Sequence, residues 1–237
     1  MPALVVLGAR NLGGAILDRF LADGWQATAI VRSAGTAEAV EARGARAIRA
    51  DVTDPAQLRD ALAAAGPVDC LVNAVSVARF DPEVPWGGGP LVEATLERYR
   101  AWGAEVAEQG FVFFSEGARL LVAQDRPATL LQIANRSSRA AAPGMGAWAA
   151  GWHGVRARTL AAADELREHG IHVALVIVDG PIESPKTAHM IAALPPEQVN
   201  DQADVAAAVL GLTRQGRRGR TNELTLTPAG RPPAAWG

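Results

Sequence analysis

Cysteine is almost missing from this chain of 237 residues: Cys70 is the only one, and it sits in an apolar run. A single thiol excludes any intramolecular disulfide and points to a reducing, cytoplasmic setting, with the thiol itself a buried core group. Tyrosine and lysine are equally scarce. Tyr99 and Lys186 are the only representatives, so no phenol and ammonium stand one helical turn apart anywhere in the chain. The four histidines and the cysteine show no ligand spacing, so no metal site is expected. Arginine supplies nearly all the positive charge. A net charge of −2 and a sequence pI near 6.1 argue against a general nucleic-acid or anionic-membrane surface. Charged residues interrupt every apolar run before 18 residues, so neither a signal peptide nor a membrane span is expected.

What the chain does have is hydrophobic mass and glycine. With 49% hydrophobic residues and 24 glycines, the whole length, 1–237, suits one α/β domain with a sizeable core. The organising stretch is residues 4–17. Leu4-Val5-Val6-Leu7 is a short apolar run, Gly8-Ala9-Arg10-Asn11-Leu12-Gly13-Gly14 a glycine-rich corner, and apolar residues at helical spacing follow. Such a strand, tight turn and helix presents free N–H groups to an anion, usually the pyrophosphate of a dinucleotide. Gly8 allows the sharp turn and Gly14 the close packing of helix on strand. The middle glycine of the usual pattern is replaced by Leu12, or by Asn11 in the alternative spacing, where asparagine is expected to tolerate a left-handed backbone.

Further elements follow in order. A helix is expected over 13–22 and a second strand over 26–31, ending at Arg32-Ser33. A basic strand end here suits the 2′-phosphate of NADP, whereas an acidic one would hold the 2′-hydroxyl of NAD. Arg32, with Arg10 in the facing loop, therefore favours NADP(H) over NAD(H). A third strand spans 45–50. Asp51 and Val52 follow it, Asp51 placed either to accept from an adenine amino group or to cap its own loop. Asp54 as N-cap and Pro55 at the first helical position open a helix to residue 65. The fourth strand, 68–77, carries Asn73 and Ala74 on the cofactor side, Asn73 positioned to brace the glycine corner or the adenosine ribose. Residues 80–90, rich in proline and glycine, read as a loop. Helices over 91–107 and 110–124 come next, with Phe111, Phe114, Ala118, Leu121 and Val122 as an apolar stripe. A fifth strand covers 128–134, a long helix 148–169 ends at Gly170, and strands six and seven cover 171–178 and 223–227. This alternation predicts a Rossmann-like, doubly wound parallel sheet of about seven strands with helices on both faces.

Taken jointly, these motifs resemble the short-chain dehydrogenase/reductase superfamily over nearly the whole chain. The matching pieces are the Gly8 to Gly14 corner, Arg32-Ser33, Asp51-Val52-Thr53-Asp54, Asp69-Cys70-Leu71-Val72-Asn73-Ala74, the loop Asp179-Gly180-Pro181-Ile182 and the ending Asn222-Glu223-Leu224-Thr225-Leu226. The resemblance implies a nicotinamide cofactor touched by Gly180, Pro181 and Ile182, and a small-molecule ligand. It further implies a homodimer or homotetramer, built in relatives through the two helices represented here by 91–124. It also implies a serine, a tyrosine and a lysine for proton transfer, and their positions fall on Asn135, Trp148 and Trp152. An indole offers only a neutral N–H donor, and Trp152 lacks charge and fills more space than lysine. Both indoles fall on one helix face and are expected to line one cleft. The helix asparagine of the family is missing as well, with Val106 or Ala107 nearest. Arg136, Arg139 and Arg156 are candidates for attracting an acidic ligand, Ser137 and Ser138 stand beside them, His153 is expected at the surface, and Lys186 and His189 sit in the covering segment.

Two readings follow. One is an NADP(H)-binding oxidoreductase with a non-standard active site and an altered proton path. The other is a cofactor-binding sensor or inactive partner subunit, or a lyase or isomerase on the same scaffold, with the nicotinamide side closed and the cofactor absent in the extreme case.

Overall fold

Short runs of β-branched and aliphatic residues, each followed by a glycine or polar corner, form the strands, and each is led back by a helix. A computed structural model describes residues 1–76, 84–185 and 187–234. Strands β1 (Ala3–Leu7), β2 (Gln26–Val31), β3 (Arg46–Arg49), β4 (Cys70–Asn73), β5 (Thr129–Asn135), β6 (His172–Val178) and β7 (Glu223–Leu226) form one sheet in the order β3-β2-β1-β4-β5-β6-β7. Every pair is parallel. The order reverses between β1 and β4, where Leu7 stands opposite Asn73, and doubly wound sheets bind ligands at that switch point, beyond the carboxyl ends of the strands.

The strands are buried on both faces, as the near-continuous apolar sequence of β6, His172–Val178, requires. On one face α1 (Leu12–Ala22) packs with α8 (Gln202–Thr213) over Leu4, Val6, Val72, Leu131 and Val176. On the other, α5 (Glu105–Ala123) packs between α3 (Pro55–Ala65) and α6 (Gly146–Glu165) over Val5, Leu7, Leu71, Leu130 and Val173. Asp54 caps α3 as its sequence requires, accepting from the amides of Ala56 and Gln57 at 2.9 and 3.1 Å.

The structure corrects several expectations. Helix α2 (Ala34–Glu41) fills a stretch with little apolar periodicity, and α8 is an alanine-rich helix that the pattern does not announce. The fourth strand ends at Asn73; Val77 and residues 80–83 of the expected loop lie outside the described residues. Helices 91–107 and 110–124 are not two. After a 3₁₀ turn, Leu91–Glu93, one helical run passes from α4 (Leu96–Tyr99) through a π-helical turn, Arg100–Ala104, into α5 without a break at Gly110. Gly110 serves packing instead: a Cβ there would stand 2.9 Å from Val155 on α6. The same holds at Gly103 and Gly151, where α4–α5 and α6 cross with almost no side chain between them. The expected stripe shifts too, because Phe111 is 56% exposed while Phe113 is buried. Among the described residues no helix is long and apolar enough to cross a membrane.

Candidate cofactor and ligand site

Gly8 leaves β1 with φ +79° and donates its amide to Ile30 of β2 at 3.1 Å. That turn brings its carbonyl under the start of α1. A Cβ on Gly13 would meet the Gly8 oxygen at 1.8 Å, so Gly13 is the glycine that the close approach demands. Gly14, the residue singled out from spacing, is tight but less so, with Ala9 O at 3.0 Å and the Arg43 guanidinium carbon at 3.4 Å from a Cβ. Asn11 is not left-handed: its φ is −118°. Asn11 opens α1 without a side-chain cap, and the first intrahelical bond is Ala15 N to Asn11 O at 3.1 Å. The amides of Leu12, Gly13 and Gly14 therefore precede the helical ladder, and an uncapped helix start walled by glycines fits a pyrophosphate.

On the adenosine side Arg10 and Arg32 are both exposed, at the turn after β1 and the end of β2. The Ser33 hydroxyl caps α2, accepting from Thr36 N at 3.3 Å, and so serves the fold directly. Asp51 caps its own loop, Oδ1 accepting from Thr53 N at 3.0 Å and Thr53 Oγ1 at 2.7 Å, while Val52 is buried beneath. Asn73 does not brace the corner with its amide. Its Nδ2 donates into the core, to Gln109 Oε1 at 3.0 Å and Gln132 Oε1 at 2.9 Å, and only its Oδ1, accepting from Val75 N at 3.1 Å, steadies the strand exit. Ala74 and Val75 then form the floor against Gly8 and Gly13. Gln109 and Gln132 carry no signal in the sequence because a buried amide network has no local pattern.

Trp148 and Trp152, the positions that the resemblance assigns to the tyrosine and lysine, do share a face of α6, with ring centroids 5.6 Å apart. They do not line an open cleft. Both are buried, at 5% and 2% exposure, and belong to a four-indole cluster in which Trp102 stands 5.5 Å and Trp86 5.5 Å from Trp148. The π-helical turn sets Trp102 inward. Nε1 of Trp152 is buried and has no acceptor among the described residues. Asn135 ends β5 with its Oδ1 committed to Ser137 N at 2.9 Å, and Ser138 Oγ donates to Asn135 O at 2.8 Å.

The three arginines proposed for an acidic ligand are engaged by the protein. Arg136 donates to Asp179 at 3.0 Å, Arg139 to Thr225 Oγ1 at 2.8 Å, and Arg156 to Glu223 at 2.6 Å. His153 is exposed, its Nδ1 2.8 Å from Ala149 O. Gly180, Pro181 and Ile182 leave β6 and are tied down by Asn200, whose amide donates to Pro181 O at 2.8 Å and whose backbone pairs with Ile182. His189 is exposed on α7 (Ala188–Ile191), and Lys186 lies outside the described residues. An open cavity of about 540 Å³ is lined by Glu183, Ser184, Pro185, Ala188, Ile191, Asp201 and Gln202. It touches neither the glycine corner nor Asn135, Trp148 or Trp152.

The described residues contain no cluster of three or more His, Cys, Asp or Glu suited to a metal ion, and burial pushes the Cys70 thiol far above its ordinary value.

The model of the short chain dehydrogenase family matches residues 2–193. A short-chain dehydrogenase from Rhodopseudomonas palustris is similar at 25% identity, covering 96% of this chain and 98% of its own, with a TM-score of 0.74. An acetoin dehydrogenase from Enterobacter cloacae, 20% identical, covers 95% and 93% with a TM-score of 0.78 and shares the fold.

Proposed function

This chain belongs to the short-chain dehydrogenase family, and on that premise we propose that it binds a nicotinamide dinucleotide, NADP(H) in preference to NAD(H), without the family's tyrosine-lysine proton relay. The observation that carries this reading is a contrast within one site. The corner of Gly8 and Gly13 leads into an uncapped start of α1, while the positions that the family resemblance assigns to the relay, Trp148 and Trp152, are buried indoles.

Binding would fall to the amides of Leu12, Gly13 and Gly14 for the pyrophosphate, and to the exposed guanidinium groups of Arg10 and Arg32 for a 2′-phosphate. When bound, the nicotinamide ring supplies hydride. Trp148 and Trp152 have no proton to cycle near pH 7, and Asn135 has its side-chain oxygen Oδ1 already accepting from Ser137 N. A proton for carbonyl reduction would have to come from water or from the ligand. The geometry therefore supports a cofactor-binding protein, a sensor or partner subunit, above a carbonyl reductase.

A titration with NADPH, NADP⁺, NADH and NAD⁺, followed by tryptophan fluorescence and thermal shift, tests the proposal, since a ligand of the native state raises its stability. Preferential stabilisation by NADPH or NADP⁺ is the expected result. Rapid carbonyl reduction by the unaltered protein, abolished by Trp148→Tyr with Trp152→Lys, would overturn the sensor reading. The exposed Phe111 on α5, with Arg158 stacked over its ring at 5.5 Å, supports association of copies through that helix, which light scattering would measure.

A further inference from the structure

We propose that residues 228–234 form a strap that holds the segment 187–200, which follows β6 and is here termed the lid, against the carboxyl end of the sheet, with the Asp179 carboxylate as its latch. Asp179 follows β6 and is wholly buried. A buried carboxylate is tolerated only when donors surround it. Here Arg136 donates to Oδ1 at 3.0 Å, and Thr227 Oγ1 and the amide of Ala234 donate to Oδ2 at 3.0 and 2.7 Å. One of those donors belongs to the strap's far end, so the carboxylate is fully satisfied only with the strap in place.

The other contacts tie the strap to each wall of the ligand end. Arg136, next to Asn135 at the exit of β5, also donates to Pro232 O at 3.3 Å. Pro228 packs on Gly180, its ring 3.1 Å from where a Cβ on that glycine would stand. Gly230 donates its amide to Glu197 O at 2.7 Å, in the 3₁₀ turn Pro196–Gln198 of the lid, and a Cβ on Gly230 would sit 2.9 Å from that oxygen. The strap thus joins the exits of β5 and β6 to the lid. The lid cannot swing outward without parting Gly230 from Glu197 or drawing Ala234 off Asp179. The strap therefore sets how often the lid opens and how fast a ligand leaves.

The statement about ligand release rests on the dinucleotide reading above; the statement about the lid does not. Ala234→Pro removes the latch amide and leaves every side chain of the latch in place. Amide hydrogen exchange of the free protein is expected to rise at least about tenfold across 187–200, the factor that one hydrogen bond to a charged group carries. NADPH release, followed by stopped-flow fluorescence, is expected to quicken in proportion. Release of 228–234 with exchange at 187–200 unchanged would overturn the strap. If Ala234→Pro does not fold, Gly230→Ala, which wedges the strap off Glu197, is expected to give the same rise, and its absence would count against the proposal equally. Failure of NADPH to bind the unaltered protein would overturn the dinucleotide reading and leave hydrogen exchange to decide the strap.

Discussion

The α-carbon of Gly13 approaches the carbonyl oxygen of Gly8 so closely that an added Cβ would lie 1.8 Å from it. No side chain motion relieves that contact, because the oxygen is backbone. Gly13→Ala is therefore expected to move the start of α1, lowering stability by roughly 1–3 kcal/mol and weakening dinucleotide binding more than tenfold. Gly14→Ala, with 3.0 Å to Ala9 O, is expected to be milder in both respects. Urea denaturation and nucleotide titration of the two variants check the order.

Trp152 is 2% exposed and held by Trp148 at 5.6 Å. Truncation to alanine is expected to cost about 3–5 kcal/mol, as for other large buried aromatics. Trp86, 47% exposed although 4.6 Å from Trp102, should cost less when truncated. Thermal unfolding by near-ultraviolet circular dichroism reads both effects.

Arg32 lies exposed at the end of β2, beyond Val31. Arg32→Asp is expected to weaken NADPH binding by about tenfold or more, the value of a charge-assisted contact, and to leave NADH binding equal or better. Equal loss for both nucleotides would remove Arg32 from the 2′-phosphate site.

Acid stability should depend on Glu116, which is buried on α5 and accepts from Arg59 at 2.9 and 3.0 Å and from Arg119 at 2.5 Å. The hydrogen bond from Arg59 holds its carboxyl below the usual carboxylate range. A lowered pKa means that the unfolded chain binds the proton more readily. The contribution is then complete above the unfolded value of about 4.3 and lost as pH falls through the lower folded value. Glu116→Gln is expected to be less stable than the parent at neutral pH, with the gap closing towards pH 2 in urea titrations.

Local signals carry most of the fold. Apolar runs with β-branched residues, the Asp54-Pro55 start of α3 and the Gly8 turn are short-range facts, and each stands where its residues put it. The same locality misleads at Gly110, which looks like a break in a one-dimensional pattern. Its missing side chain is needed by Val155, on a helix distant in sequence, and the helix runs through it. The absence of a Tyr-x-x-x-Lys pair was decided by the sequence alone, since its one tyrosine is Tyr99 and its one lysine is Lys186.

Tertiary structure decided what the remaining polar residues do. Asn73 faces Gln109 and Gln132 across 36 and 59 residues of chain, Arg136 faces Asp179 across 43, and Asp179 faces Ala234 across 55. No spacing rule reaches so far. A side chain's chemistry is fixed by its sequence, but whether it meets ligand, solvent or a buried partner depends on which strand ends the sheet brings together. Here the glycine corner was written locally, and it leads into a helix start without a side-chain cap. The arginines that seemed available for a ligand were taken up by carboxylates and a hydroxyl that only the folded chain could set beside them.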